Sequence, residues 1–344
     1  MKRIPLKSIS LGLGLGTLLL TAAMSVGVFD SKTALADPTP IVIEGHPVFW
    51  DPENPTDRTA GMLTYMGGLE LSSDHPDFGG LSGFIIGATG DAFIAVSDQG
   101  NWVTADLISE ADRPTGLGQA LISPIMGTDG MPLSGKRNTD AESLTVAFGA
   151  DPRTSATIVG FERRHRLSSY DLTSLGFDAP ATSVNDFQMF KGLENNGGLE
   201  AIAYLPDGSL LALSEKTFDE DGYIIGARLT DEGATPVRLQ QHLPFVLTDI
   251  DVLPGGDLIT LERHYSPVAG VSMMMRRIPS AALESNEPLD GEVLIQVNNS
   301  RSIDNMEGLS IRQTPEGKTL LYLISDDNFN VLQRTLLLVF ALND

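Results

Sequence analysis

The 344 residues contain no cysteine. That absence excludes disulfides, thiol nucleophiles, thiolate metal sites and a lipid anchor on an N-terminal cysteine. Basic residues are also scarce: 23 Lys and Arg face 45 Asp and Glu, a net charge of −22. Nucleic acids and anionic lipid surfaces are bound through clustered Lys and Arg, so neither is an expected partner. Divalent cations and cationic partners suit such a surface, although solubility alone also accounts for it. Three catalytic signatures are missing as well. There is no Gly-x-Ser-x-Gly elbow, no His-Glu-x-x-His helix and no Walker loop.

Long apolar runs are nearly absent too, and the main one is at the start. Leu11 to Val28 follows Lys2, Arg3 and Lys7 and precedes Ala34-Leu35-Ala36. Basic start, apolar stretch and small-residue site make the layout of a secretory signal peptide. The expectation is a signal peptide over 1–36, a periplasmic or secreted product, and no membrane anchor after cleavage. Without those residues, which carry Lys2, Arg3, Lys7, Lys32 and Asp30, the charge becomes −25.

What the chain has in abundance is glycine, 35 residues, and proline, 20, which favour many short turns over long helices. One pattern recurs: an acid, a short apolar strand, a Gly turn, a second apolar strand, a closing acid. It is clearest from Gly198 to Lys216, where Glu200 opens, Pro206-Asp207-Gly208 turns and Glu215 closes. Copies begin at Ser82, Glu142, Glu200, Asp249 and Glu307, a period of about 50–60 residues. Repeats of this length built of three or four strands mark a β-propeller.

The expected fold is therefore all-β. Five clear repeats give a propeller of five or six blades, closed by an N-terminal strand, Leu63 to Leu71, pairing with the C-terminal blade. A β-sandwich with similar hairpins is the alternative. Residues 37–62 read as an N-terminal arm, residues 63–344 as the propeller domain, and the Gly- and Pro-rich 111–140 as a long loop, a lid or a surface excursion.

The recurring acids would gather at the mouths of the channel. Glu142, Glu200, Asp249, Asp251 and Glu307 open first strands; Asp98, Glu162, Glu215, Glu262, Asp326 and Asp327 close second strands. Carboxylates so numerous cannot converge unpaired, since burying each ion costs several kcal/mol. Hard oxygen donors without cysteine suit Ca²⁺, with Mg²⁺ as the second candidate. The candidate metal ligands are Asp98, Glu142, Glu200, Asp249, Glu262, Glu307 and Asp326. Glu200, Glu262 and Glu307 are the candidate catalytic carboxylates. Bases follow three closing acids directly, so Arg163, Lys216, Arg263 and the nearby His264 are candidate binders of a small anionic ester. Structural ion pairs between blades are the competing account of those bases.

Several motifs together resemble one family. They are Gly79-Gly80-Leu81-Ser82-Gly83 with Val96-Ser97-Asp98-Gln99-Gly100, then Asp140-Ala141-Glu142-Ser143-Leu144 and Gly198-Leu199-Glu200-Ala201. Thr248-Asp249-Ile250-Asp251 with Leu261-Glu262-Arg263 follows, and Asp304-Asn305-Met306-Glu307-Gly308-Leu309 with Ser325-Asp326-Asp327-Asn328 completes the set. The set resembles the bacterial phytase-like family, also called esterase-like activity of phytase, from about residue 60 to the end. The resemblance implies an exported propeller that hydrolyses phosphate or other oxygen esters, and propeller phytases use Ca²⁺ in an acidic channel. Ser82 departs from the pattern, leaving the acid ring incomplete there. A non-catalytic cation- or ligand-binding propeller and a lactonase-like propeller hydrolase are the alternatives, and a monomer is expected.

Overall fold

Leu320-Leu321-Tyr322-Leu323-Ile324 shows no polar alternation because both faces of its strand are buried. Leu320, Tyr322 and Ile324 join one apolar cluster, and Leu321 and Leu323 join another. Side chains alternate across a strand, so an unbroken apolar run marks a sheet packed between two others. In the computed structural model, residues 38–147, 149–152, 155–184, 193 and 197–343 are described. The expected signal segment lies outside the described residues.

The chain begins with β1 (Thr39–Ile41), β2 (Glu44–Pro47), β3 (Thr59–Ala60) and β4 (Leu63–Ser72). Blade 1 follows as β5 (Leu81–Ile86), β6 (Ala92–Ser97), β7 (Asn101–Glu110) and β8 (Arg113–Pro124). Blade 2 is β9 (Ala141–Val146), β10 (Ala156–Phe161), β11 (Arg166–Asp171) and β12 (Thr182–Ser183). Blade 3 is β13 (Leu199–Tyr204), β14 (Leu210–Phe218), β15 (Ile224–Thr230) and β16 (Gly233–Leu239). Blade 4 is β17 (Val246–Val252), β18 (Leu258–Ser266), β19 (Gly270–Ile278) and β20 (Glu292–Asn298). Blade 5 is β21 (Met306–Gln313), β22 (Thr319–Ser325) and β23 (Thr335–Leu342). All pair antiparallel in chain order, and β4 lies beside β23 with Leu69 opposite Leu337.

Five sheets stand in a ring, which makes the fold a five-bladed propeller. The innermost strands β5, β9, β13, β17 and β21 neighbour one another in that order, and β21 returns to β5. Five apolar clusters fill the gaps, one between each adjacent pair of blades. The arm is stitched onto two sheets: β1 pairs with β8 at the edge of blade 1, and β2 pairs with β4 in blade 5. The expected loop over 111–140 is for the most part structured. Arg113–Pro124 is the fourth strand of blade 1 and Lys136–Thr139 a single helical turn. Its glycines and prolines suggest a loop, but both residue types fit an outer strand that carries an irregular register against β7.

Side chains also tie inner strands together across the channel wall. Asp249 accepts from the Leu309 amide at 2.7 Å and Asp251 from the Ile311 amide at 2.6 Å. Their other oxygens accept from Ile250 and Val252. Burial pushes Asp251 up to about 7. A carboxyl raised in the fold contributes stability that is full below its unfolded value near 3.8 and is lost as pH rises through about 7. Between about pH 4 and 7.5, urea unfolding should therefore show wild-type stability declining, relative to Asp251→Asn, by a few kcal/mol. A constant difference between the two proteins over that range would refute this account of Asp251.

Candidate functional site

The site is built by a bulge repeated in every blade. In blade 3, Leu199 pairs with Ser214 and Ala201 with Leu213, so Glu200 between them has no partner in the ladder. Glu142 is skipped in the same way in blade 2, Glu307 in blade 5 and Thr248 in blade 4. Blade 1 skips Ser82 and Gly83. A bulge leaves one residue outside the ladder and re-aims its side chain. Here it turns the start of each innermost strand toward one channel mouth.

A second set of positions lies across from the start of each innermost strand, just past the end of the second strand in blades 1, 2 and 5 and within it in blades 3 and 4. The backbone amides of Asp98, Glu162, Glu215 and Asp326 bond to Gly80, Asp140, Gly198 and Asn305, each two residues before its bulge. The blade 4 residue in this register is Arg263, opposite Val246. The mouth is thus ringed by Asp98, Glu142, Glu162, Glu200, Glu215, Glu307 and Asp326, with Arg263, Ser82 and Thr248 filling the remaining places.

This register corrects two expected ligands. Asp249 is one residue past its bulge, and both its oxygens are taken by backbone amides of the channel wall. Glu262 is one residue short of the ring. It pairs with Leu247 in the ladder, is 1% exposed, and binds the fully buried Arg276 at 2.6 Å and the Thr260 hydroxyl at 2.7 Å. A shift of one residue turns a strand side chain to the opposite face, so neither Asp249 as a ligand nor Glu262 as a ligand and catalytic group belongs to the ring.

The carboxylates converge in two overlapping sets. Oxygens of Asp140, Glu142 and Glu162 lie within 4.8 Å of one another, and so do those of Glu162, Glu200 and Glu215. Four cations touch this group. Lys136 reaches Asp98 and Asp140 at 2.5 Å, Arg163 pairs with Asp140, Lys216 meets Glu215 at 2.6 Å, and Arg263 lies 2.9 Å from Glu307. Glu142, Glu200 and Asp326 have no ion pair among the described residues, and the Glu162 carboxylate has only a long bond, 3.4 Å, from the Gly198 amide.

The electrostatics follow from that imbalance. Burial pushes Glu142 well above the usual carboxylate range, reinforced by Glu200, Asp140 and Glu162. Burial does the same to Glu200, with Glu215, Glu307 and Glu162 adding repulsion. Glu162 and Asp326 are raised by burial too, with Asp140 and Glu307 respectively as the foremost negative charges. Glu307 is raised by burial while Arg263 opposes the shift. Glycine is required where the backbone closes on these acids. At Gly80, with φ +60°, a Cβ would fall 2.3 Å from Asp98 Oδ1.

Of the expected ligands, the fold gathers Asp98, Glu142, Glu200, Glu307 and Asp326. Of the expected anion binders, Arg163 and Lys216 stand at the rim, each about two-fifths exposed at the side chain. Arg263 is part of the ring wall, and His264 packs edge-on to Phe245 at 6.3 Å. The expected sets omit Glu162, Glu215, Asp140 and Lys136. Glu162 and Glu215 are visible in the sequence as strand-closing acids, and Asp140 lies inside the Asp140-Ala141-Glu142 motif. Lys136 gives no signal, because it arrives from a separate helical turn.

Fold and site together define a five-bladed propeller with an acidic ring at one channel mouth, whose carboxylate groups could hold a metal ion. The phytase-like family, described as esterase-like activity of phytase, matches residues 76–329, and the chain belongs to it. No curated protein matches the sequence. Solved structures similar in outline include a putative gluconolactonase, at 14% identity over 90% of this chain and 96% of that one, TM-score 0.41. A glucose dehydrogenase is similar at 13% identity over 80% and 98%, TM-score 0.42. The Dos1 propeller is similar at 8% identity over 82% and 75%, TM-score 0.34. These likenesses are distant, and the reading of the site rests on its own residues.

Proposed function

We propose that the protein is a divalent-cation-dependent hydrolase of phosphate or other oxygen esters, with Ca²⁺ as the first candidate ion. One observation carries the reading. Glu200 is 8% exposed, its carboxylate makes no hydrogen bond or ion pair among the described residues, and one of its oxygens lies within 4.8 Å of one from Glu162, which in turn lies as close to one from Glu142. A buried carboxylate without a partner is strongly unfavourable, and a cation is the partner this donor set fits. Hard oxygens in an irregular array match Ca²⁺, which takes about six to eight of them. Glu142, Glu162 and Glu200 would hold it.

When bound, a divalent ion polarises an ester oxygen and lowers the pKa of a coordinated water. The remaining work falls to side chains. Arg163 and Lys216 flank the ion set from the rim and orient an anionic ester as it enters. Asp326, buried beside Glu307, holds its proton above the usual carboxylate range and can donate it to a departing oxygen. Export as a monomer belongs to the same proposal, on the signal-like sequence start and the strongly acidic composition.

Hydrolysis of a phosphomonoester and of a short-chain carboxylic ester by purified protein tests the reading. Turnover of at least one, supported by Ca²⁺ or Mg²⁺ and abolished by chelator, is expected. No chelator-sensitive turnover on either substrate would overturn it.

A further inference from the structure

Four blades place a carboxylate opposite the residue two before the bulge, and blade 4 places Arg263 there. Its side chain bridges the two neighbouring blades. Nε lies 2.9 Å from Glu307 of blade 5, and Nη2 lies 3.5 Å from Glu215 of blade 3. Burial works against its charge, yet Glu307, Glu215 and Glu200 hold it firmly protonated. Glu215 is engaged twice, since its other oxygen meets Lys216 at 2.6 Å. Glu142 of blade 2 and Glu200 of blade 3 have no such partner among the described residues, and Glu200 is more than nine-tenths buried.

We infer that Arg263 is the resident cation of the ring, and that it limits the ring to one divalent ion on the Glu142, Glu162 and Glu200 side. The inference rests on the cation reading above and adds a determinant of how many ions are held, and where. The ring carboxylates would otherwise supply enough donors for two Ca²⁺ ions. A guanidinium supplies no lone pair to a metal, is always charged and forks between two acids. Arg263 therefore removes Glu307 and Glu215 from the donor pool. It also sets a fixed positive charge against any second dication.

The test counts Ca²⁺ bound to metal-free protein by equilibrium dialysis and calorimetry in salt at about 0.15 M, where surface charges are screened. The Glu142→Gln/Glu200→Gln variant serves as the blank for surface ions. Wild type should bind one ion above the blank. Arg263→Gln should bind two, and its unfolding midpoint should fall in chelator and recover with Ca²⁺ by more than that of wild type. Arg263→Lys, which keeps the charge, should still bind one. Two ions in wild type, or one in Arg263→Gln with unchanged affinity, would overturn the role of Arg263 and leave the cation reading standing. No ion in wild type would overturn the cation reading itself. Because the wild-type count is decisive alone, the inference stays testable even if Arg263→Gln does not fold.

Discussion

Glu200→Gln is expected to stabilise the metal-free protein while destroying its cation site. The substitution is isosteric and leaves the bulge in place, so what changes is one buried charge. In chelator near pH 8 the gain should be about 1–3 kcal/mol, within the range for replacing buried ionic groups by neutral ones. The pH sense follows from the raised pKa of Glu200. A carboxyl raised in the fold contributes its stability at low pH and loses it as pH climbs through the folded value. The advantage of glutamine should therefore be small near pH 4.5 and grow toward about pH 8. In the same variant, Ca²⁺ affinity should drop by at least about 100-fold, since altering groups one layer outside a metal already costs about 10–100-fold. Urea unfolding with and without chelator, beside a calcium titration, reads both. Loss of stability together with unchanged calcium binding would mean that Glu200 is an ordinary structural acid.

The blades are legible in the sequence because each is written in apolar runs and glycine turns, features that act locally. The runs Leu210 to Leu213 and Leu320 to Ile324 are continuous because each strand lies between two neighbouring blades. In the first, Leu210 and Ala212 face one apolar cluster while Leu211 and Leu213 face the next. The blade count is not legible, because the short strands of the arm carry no repeat and leave room for a sixth blade. They instead extend the edges of two existing sheets.

The ring is only half legible, and register is the reason. An acid near the start or end of a strand is easy to see, but its direction depends on parity, and parity is set by the bulge and by cross-strand pairing. Thr248-Asp249 and Glu262-Arg263 each offer an acid within one residue of the ring position. In both pairs the ring takes the other member. Glu215-Lys216 and Glu262-Arg263 read alike as an acid followed by a base, yet the ring takes the acid from the first and the base from the second. Lys136 is illegible for a different reason: it reaches Asp98 across 38 residues, a contact that only the closed ring creates.

Glu262→Gln should destabilise the protein by about 3–5 kcal/mol, the cost of breaking a buried ion pair from one side, and should leave calcium affinity unchanged. Arg276 is fully buried and bonds Glu262 at 2.6 Å and Asp290 at 2.8 Å, and Asp290 in turn meets His242 at 2.9 Å. This chain of charges runs outward from the buried sheet face and does not touch the ring. Glutamine would leave the charge of the guanidinium opposed by Asp290 alone, and Asp290 is half exposed and shared with His242. Replacing both partners by apolar residues of similar volume, as in Glu262→Met/Arg276→Met, should recover most of the loss, because neither charge then remains to be compensated. Urea unfolding of wild type and both variants, each with a calcium titration, separates the two roles. If Glu262→Gln weakened calcium binding as Glu200→Gln should, Glu262 would belong to the ring, and the register that places Arg263 there would be wrong.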